Sequence, residues 1–156
     1  MIAIVTGGSS GIGQALCRLL LQKGATVYCL SRREGPAGCR SIPTDLTSDE
    51  SVAHAFQIIS AECPHVDLLV NNAGMGISGA TELTDLSAAH RLFEVNFFSV
   101  LRTLRPAVPL LSGGGCLIQI SSAAALFAIP YQSLYSASKS ALLSLSLALR
   151  AELEPF

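Results

Sequence analysis

The chain has 156 residues, ten Lys plus Arg against eleven Asp plus Glu, a formal net charge of −1, 50% hydrophobic residues and 13% charged ones. That balance excludes a disordered chain, which needs low hydrophobicity and high net charge, and it offers no basic surface for nucleic acid or an anionic membrane. The length fits one domain over residues 1–156, and no apolar stretch approaches the ~20 residues of a spanning helix.

Met1 runs directly into Ile2-Ala3-Ile4-Val5, with no basic segment or small-residue cleavage site ahead of it. The five cysteines (Cys17, Cys29, Cys39, Cys63 and Cys116) are odd in number, and none forms a CxxC pair. They read as buried thiols in a reducing compartment, which predicts a cytoplasmic protein without a metal site.

Taken in chain order, short apolar runs alternate with helical patterns, the mark of βαβ units and a parallel sheet. Residues 2–6 form a first strand that ends in Gly7-Gly8-Ser9-Ser10-Gly11. Ile12, Ala15, Leu16, Leu19 and Leu20 then recur at helical spacing, with Gly24 as a stop signal. Residues 26–31 give a second strand and residues 40–43 a short third. Thr47, with Glu50 three positions on, predicts a capping box that opens a helix to about Glu62. Residues 67–71 form a fourth strand, buried on both faces through Leu68-Leu69-Val70. A helix is expected over residues 87–104, before Pro106 and Pro109 disturb it. Gly113-Gly114-Gly115 leads into a fifth strand over residues 116–121, and a last helix covers residues 133–154, with Leu142, Leu145, Leu149 and Leu153 on one stripe. The fold expected is a doubly wound α/β domain of about five strands.

Three segments carry chemistry. In Thr6-Gly7-Gly8-Ser9-Ser10-Gly11-Ile12-Gly13, between a strand and a helix, glycines let the backbone turn tightly and approach a pyrophosphate that the helix N-terminus favours. The GxGxxG form fails, because Leu16 stands where the last glycine is required. A P-loop fails too, since Gln14 occupies the lysine position. Gly7-Gly8-Ser9-Ser10-Gly11 does satisfy the GxSxG nucleophile elbow of a serine hydrolase. That elbow needs an earlier strand and loop plus a late histidine, yet only eight residues precede Ser9, and His54, His65 and His90 fall in or beside regular elements.

The second segment is Tyr135-Ser136-Ala137-Ser138-Lys139. Tyr and Lys at i and i+4 share a helix face, which lets an ammonium favour the phenolate and makes the phenol a usable proton donor. The third is Ser121-Ser122 at the close of the fifth strand. Ligands of open α/β sheets bind beyond the carboxyl ends of strands. The glycine loop, Asn71-Asn72-Ala73-Gly74 and Ser121-Ser122 all fall at such ends.

Together these segments resemble the short-chain dehydrogenase/reductase family. Its TGxxxGIG pattern matches residues 6–13, its NNAG pattern residues 71–74 and its YxxxK pattern residues 135–139. Ser122 stands at the family's serine position, Asn96 at its helix asparagine, and Asp45-Leu46 at its adenine-contacting pair. The resemblance implies a Rossmann-type three-layer α/β/α fold and hydride transfer between a nicotinamide and a small-molecule carbonyl or alcohol.

In that scheme Tyr135 is the general acid or base, and Lys139 assists it and holds the nicotinamide ribose. Ser122 donates to the substrate oxygen, while Asn96 breaks its helix and holds a water that links Lys139 to solvent. Thr6, Gly7, Ser9, Ser10, Gly11, Ile12, Gly13, Asp45, Leu46, Asn72, Ala73 and Gly74, with Tyr135 and Lys139, would line the cofactor site. The second strand ends Leu30-Ser31-Arg32-Arg33, where an NAD site wants Asp or Glu. Guanidinium groups with Ser31 suit a 2′-phosphate, so NADP(H) is expected over NAD(H). Leu126-Phe127-Ala128-Ile129-Pro130-Tyr131 suggests a lipophilic substrate, and a homodimer or homotetramer follows from the family's habit of pairing through the helices bearing Asn96 and Tyr135.

Family members usually run to about 250 residues, and their C-terminal substrate-binding part is expected to be absent here. That leaves the fifth strand as an exposed apolar edge. A non-catalytic nucleotide-binding or dimerising module is therefore the alternative function.

Overall fold

The computed structural model describes residues 1–111 and 113–153. A five-stranded parallel sheet in the order β3-β2-β1-β4-β5 forms its middle layer. β1 (Ile2–Thr6) pairs with β2 (Thr26–Ser31) on one side and β4 (Leu68–Asn71) on the other. β3 (Arg40–Pro43) lies outside β2, and β5 (Cys116–Gln119) outside β4.

The apolar runs are continuous because both faces are covered. On β1, Ala3, Ile4 and Val5 are all fully buried. Ala3 and Val5 point to α1 (Gly11–Gln22) and meet Cys17 and Leu20. Ile4, with Tyr28, Leu30 and Leu69, faces α2 (Asp49–Glu62) and α4 (Ser99–Leu111), packing on Val52, Phe56, Ile59 and Ala107. Leu142 of α5 (Ser133–Leu153) joins Val100 and Leu104 of α4 in a smaller cluster, with Leu145 and Leu149 beside it. Phe56→Ala is expected to cost about 3–5 kcal/mol. A urea titration should show a lowered midpoint at unchanged slope.

Some boundaries differ from the sequence reading. The N-cap of α2 is Ser48, whose Oγ accepts from the Ser51 N–H at 3.2 Å. Thr47 is instead occupied by Asp45, to whose carboxylate its N–H and hydroxyl both donate. The helix expected over residues 87–104 begins as α3 (Leu86–Phe93), passes through a π turn (Glu94–Phe98) and continues in α4 through Pro106 and Pro109. Each proline removes one intrahelical donor, but the segment is held by burial of Ala107 and Leu111 against the sheet. β5 ends at Gln119, so Ser121 and Ser122 lie beyond the strand. The last helix runs to Leu153, and Glu154 lies outside the described residues.

β1 and β4 are neighbours whose connections leave in opposite directions, because β2 lies on one side of the pair and β5 on the other. The loops after the two strands therefore diverge and open a crevice at the carboxyl edge of the sheet.

Candidate active site

The crevice is built from the loop after β1. Gly7 and Gly11 have φ of +67° and +53°, a region that side chains rarely enter. Gly13 is required for a different reason. A Cβ there would lie 2.4 Å from Asn72 Nδ2 and 2.5 Å from the Gly7 carbonyl oxygen. Ser10, at the N-cap of α1, makes no side-chain capping bond, and the first turn holds no acidic residue. The N–H groups of that turn are thus left for an anion in the crevice.

Thr6 and Asn72 weld the two strand ends together. Thr6 Oγ1 accepts from the N–H groups of Asn72 and Ala73 at 3.0 and 3.1 Å, and Asn72 Nδ2 donates to the Thr6 carbonyl at 2.9 Å. Thr6 is 2% exposed, so it shapes the crevice from beneath without lining it.

A cleft of about 630 Å³ runs from this loop across the ends of β2 and β3. Gly7, Ser9, Ser10, Gly11, Ile12, Ser31, Arg32, Arg33, Asp45, Leu46, Asn72, Ala73 and Gly74 line it, all singled out by the sequence. Thr44, Thr47, Met75, Arg91 and Val95 line it as well and were missed. Met75 directly follows Gly74, and Arg91 and Val95 are spaced i, i+4 on the turns that lead to Asn96. That spacing was the available signal. Among the described residues, Arg32, Arg33 and Arg91 form no ion pair with a carboxylate. Asp45 is held below the usual carboxylate range, mainly by the two donors of Thr47. The cleft is net positive, as an anionic ligand requires.

Tyr135 and Lys139 line an adjoining cleft of about 450 Å³, which shares Ile12, Asn72, Gly74 and Met75 with the first. Lys139 is 4% exposed, and its ammonium donates to the Ile120 carbonyl at 2.9 Å. Burial pushes its pKa below the ordinary lysine value.

Asn96, fully buried, sits in the π turn, where helix regularity is broken. Its amide grips the Met75 backbone from both sides, accepting from the N–H at 2.8 Å and donating to the carbonyl at 2.9 Å. It also donates to Ser138 Oγ at 3.0 Å, and Ser138 in turn donates to the Tyr135 carbonyl at 2.8 Å. Sequence reasoning missed Ser138, which ties Asn96 to the Tyr135 helix. A Cβ on Gly74 would stand 3.4 Å from both Asn96 Oδ1 and Lys139 Nζ, so the bare glycine leaves a small polar gap between them.

Ser122 lies off this cleft, whose wall is formed by Ser121. Ser122 Oγ accepts from the Ala124 N–H at 3.1 Å, which uses a lone pair and leaves its proton available. No histidine lines either cleft: His54 and His90 are exposed on α2 and α3, and His65 bonds Asp67. The arrangement therefore lacks the base that a Ser9 nucleophile would need.

The whole chain, residues 1–156, matches the family described as short chain dehydrogenase. It is 38% identical over 159 residues to a 3-ketodihydrosphingosine reductase of Bacteroides thetaiotaomicron, covering 99% of this chain and 59% of that protein. It is 34% identical to the rhamnolipids biosynthesis 3-oxoacyl-[acyl-carrier-protein] reductase of Pseudomonas aeruginosa, with 97% and 66% covered. A short-chain dehydrogenase from Streptomyces avermitilis superposes with a TM-score of 0.93 at 33% identity, over 99% of this chain and 61% of that one. An alcohol dehydrogenase of Thermococcus sibiricus complexed with 5-hydroxy-NADP gives 0.92 at 27% identity, over 98% and 71%.

The chain belongs to the short-chain dehydrogenase family, whose members are oxidoreductases on a nicotinamide-binding Rossmann fold. It spans about three-fifths of the length of the relatives it matches. Among the described residues no helix is long and apolar enough to cross a membrane.

Proposed function

We propose that the protein is an NADP(H)-dependent oxidoreductase acting on the carbonyl or secondary alcohol of a lipophilic molecule. The observation that carries this reading is the joined pair of clefts, with Arg32 and Arg33, which form no ion pair among the described residues, at one end and Tyr135 with Lys139 at the other. A dinucleotide fits the residues present. Gly7, Gly11 and Gly13 clear the backbone for a pyrophosphate, the uncapped turn of α1 supplies N–H donors, and Ser31, Arg32 and Arg33 suit a 2′-phosphate. When bound, the nicotinamide supplies or accepts the hydride.

In reduction, Tyr135 gives its phenolic proton to the substrate oxygen, and Ser122 donates a hydrogen bond that holds the developing charge. Lys139, which lines the same cleft as Tyr135, would hold the nicotinamide ribose. The gap above Gly74 is placed for a water between Lys139 Nζ and Asn96 Oδ1, a path to return the proton. Leu126, Phe127 and Tyr131, each about 70% exposed between Ser122 and Tyr135, supply an apolar rim suited to an aliphatic chain. The Bacteroides and Pseudomonas relatives carry names of lipid-chain reductases, in keeping with this substrate class. The reading includes a cytoplasmic homodimer or homotetramer, with Phe98 and Leu147 (43% and 63% exposed) as apolar contact residues.

Titration with NADPH and NADH, followed by nicotinamide fluorescence, tests the cofactor. NADPH is expected to bind tighter, and the double variant Arg32→Asp, Arg33→Asp to lose about tenfold for each charged hydrogen bond removed, with NADH little changed. Equal affinity for the two would overturn the NADP(H) assignment. Failure to bind either would overturn the cofactor site.

A further inference from the structure

We propose that Cys17 and Cys29 form a reversible disulfide beneath the glycine-rich loop, an oxidation site that unseats this loop and weakens nucleotide binding. The binding consequence rests on the cofactor reading above, whereas the disulfide does not. Both thiols are fully buried, Cys17 on α1 and Cys29 on β2, on the same side of the sheet. A Cβ on Gly8 would lie 2.7 Å from each sulfur, so the two Sγ atoms flank a single point under the loop. Gly35 closes over Cys29 from the other side, its Cβ position also 2.7 Å from that sulfur. Cys29 is therefore roofed by two residues without side chains. Half-buried Cys39, in contact with Cys17, gives the cluster its link to the surface.

Hydrogen bonds polarise the pair. The Cys17 thiol and the Gly8 N–H lie against Cys29 Sγ, and Ser31 Oγ, its own proton spent on the Arg33 carbonyl, is 3.4 Å from that sulfur. The Cys17 donor chiefly pulls the Cys29 thiol below the ordinary range, while Cys17, as donor and buried, is pushed up. Cys29 is thus the nucleophile and Cys17 the resolving thiol.

With a hydroperoxide as oxidant, the Cys29 thiolate attacks the terminal peroxide oxygen, the O–O bond breaks, and a sulfenic acid and an alcohol (water, for hydrogen peroxide) result. Cys17 then attacks that sulfur, the S–O bond breaks, and the hydroxyl leaves as water with the Cys17 proton. In total two thiols and one peroxide give one disulfide, one alcohol and one water. The sulfur that accepted the Gly8 N–H is now a poor acceptor, and the buried donor must find another partner. Ser31, which donates at 2.5 Å to the Arg33 carbonyl and lines the cleft, loses its sulfur contact at the same time.

The test uses the full chain, reduced and then treated with hydrogen peroxide. Peptide mapping is expected to join Cys17 to Cys29, amide exchange over residues 7–11 to rise, and NADPH affinity to fall about tenfold, the worth of one charged hydrogen bond. Dithiothreitol should restore all three. A Cys39→Ser, Cys63→Ser, Cys116→Ser variant should behave as the parent, and Cys17→Ala should lose the response. Absence of the Cys17–Cys29 peptide overturns the proposal, and so does a linked protein with unchanged exchange and affinity. A loss of affinity that persists in Cys17→Ala also overturns it. If the reduced chain binds no nucleotide, the cofactor reading fails while mapping and exchange still judge the disulfide.

Discussion

Tyr135→Phe is expected to lower turnover of a carbonyl substrate by about a thousandfold, the loss of a positioned proton donor. NADPH affinity should hold. The phenol stands in the second cleft, half-buried, and no described hydrogen bond uses its oxygen to hold the fold. Removing one oxygen takes away the proton and leaves the ring's packing in place. Parallel measurement of turnover and of NADPH binding checks this. A variant that keeps parental turnover would remove Tyr135 from the reaction. Loss of binding along with turnover would assign it to cofactor retention instead.

Gly13→Ala is the most damaging single methyl the site can receive. Its Cβ would overlap both the amide of Asn72 and the carbonyl of Gly7, and the second is backbone that has no rotamer to yield. The methyl must push α1 from the sheet or break the Asn72 bond to Thr6, so a destabilisation of about 3 kcal/mol with loss of nucleotide binding is expected. Gly11→Ala makes the contrast. No atom lies within 4 Å of its Cβ position, but its φ of +53° carries a conformational cost of about 1 kcal/mol. Urea denaturation of the two variants should separate them in that order.

Much of this architecture was legible because the strands are doubly buried. Runs such as Ile2-Ala3-Ile4-Val5 have no polar face to hide, and the glycines and asparagines that follow them mark where the chain turns. Where the reading slipped, tertiary contacts had outvoted local preference. Pro106 and Pro109 break helices in isolation, yet Ala107 and Leu111 are buried deeply enough to carry the helix past them. Thr47 looked like a cap until Asp45 claimed both its donors, leaving Ser48 to start α2.

The same distinction holds at the site. Gly7, Asn72 and Lys139 announce themselves by residue type and spacing. Arg91, on α3, and Val95, in the π turn that follows it, line the cleft through the packing of those elements, which no residue type announces. Ser138 was invisible for a similar reason. Its role depends on Asn96 lying opposite, 42 positions away in the chain.

The place of β1 in the sheet has a consequence for how the molecule is made. β1 is flanked on both sides, by β2 and by β4, and its partner Leu69 follows Ile4 only after four other elements have emerged. During translation one edge of Ile2–Thr6 therefore waits, apolar and unpaired, until residue 70 leaves the ribosome. A nascent chain halted before β4 should be sticky and prone to capture by chaperones. One halted after β5 should resist protease, because the loop closure between β1 and β4 is the slow, long-range step on which the rest of the sheet condenses.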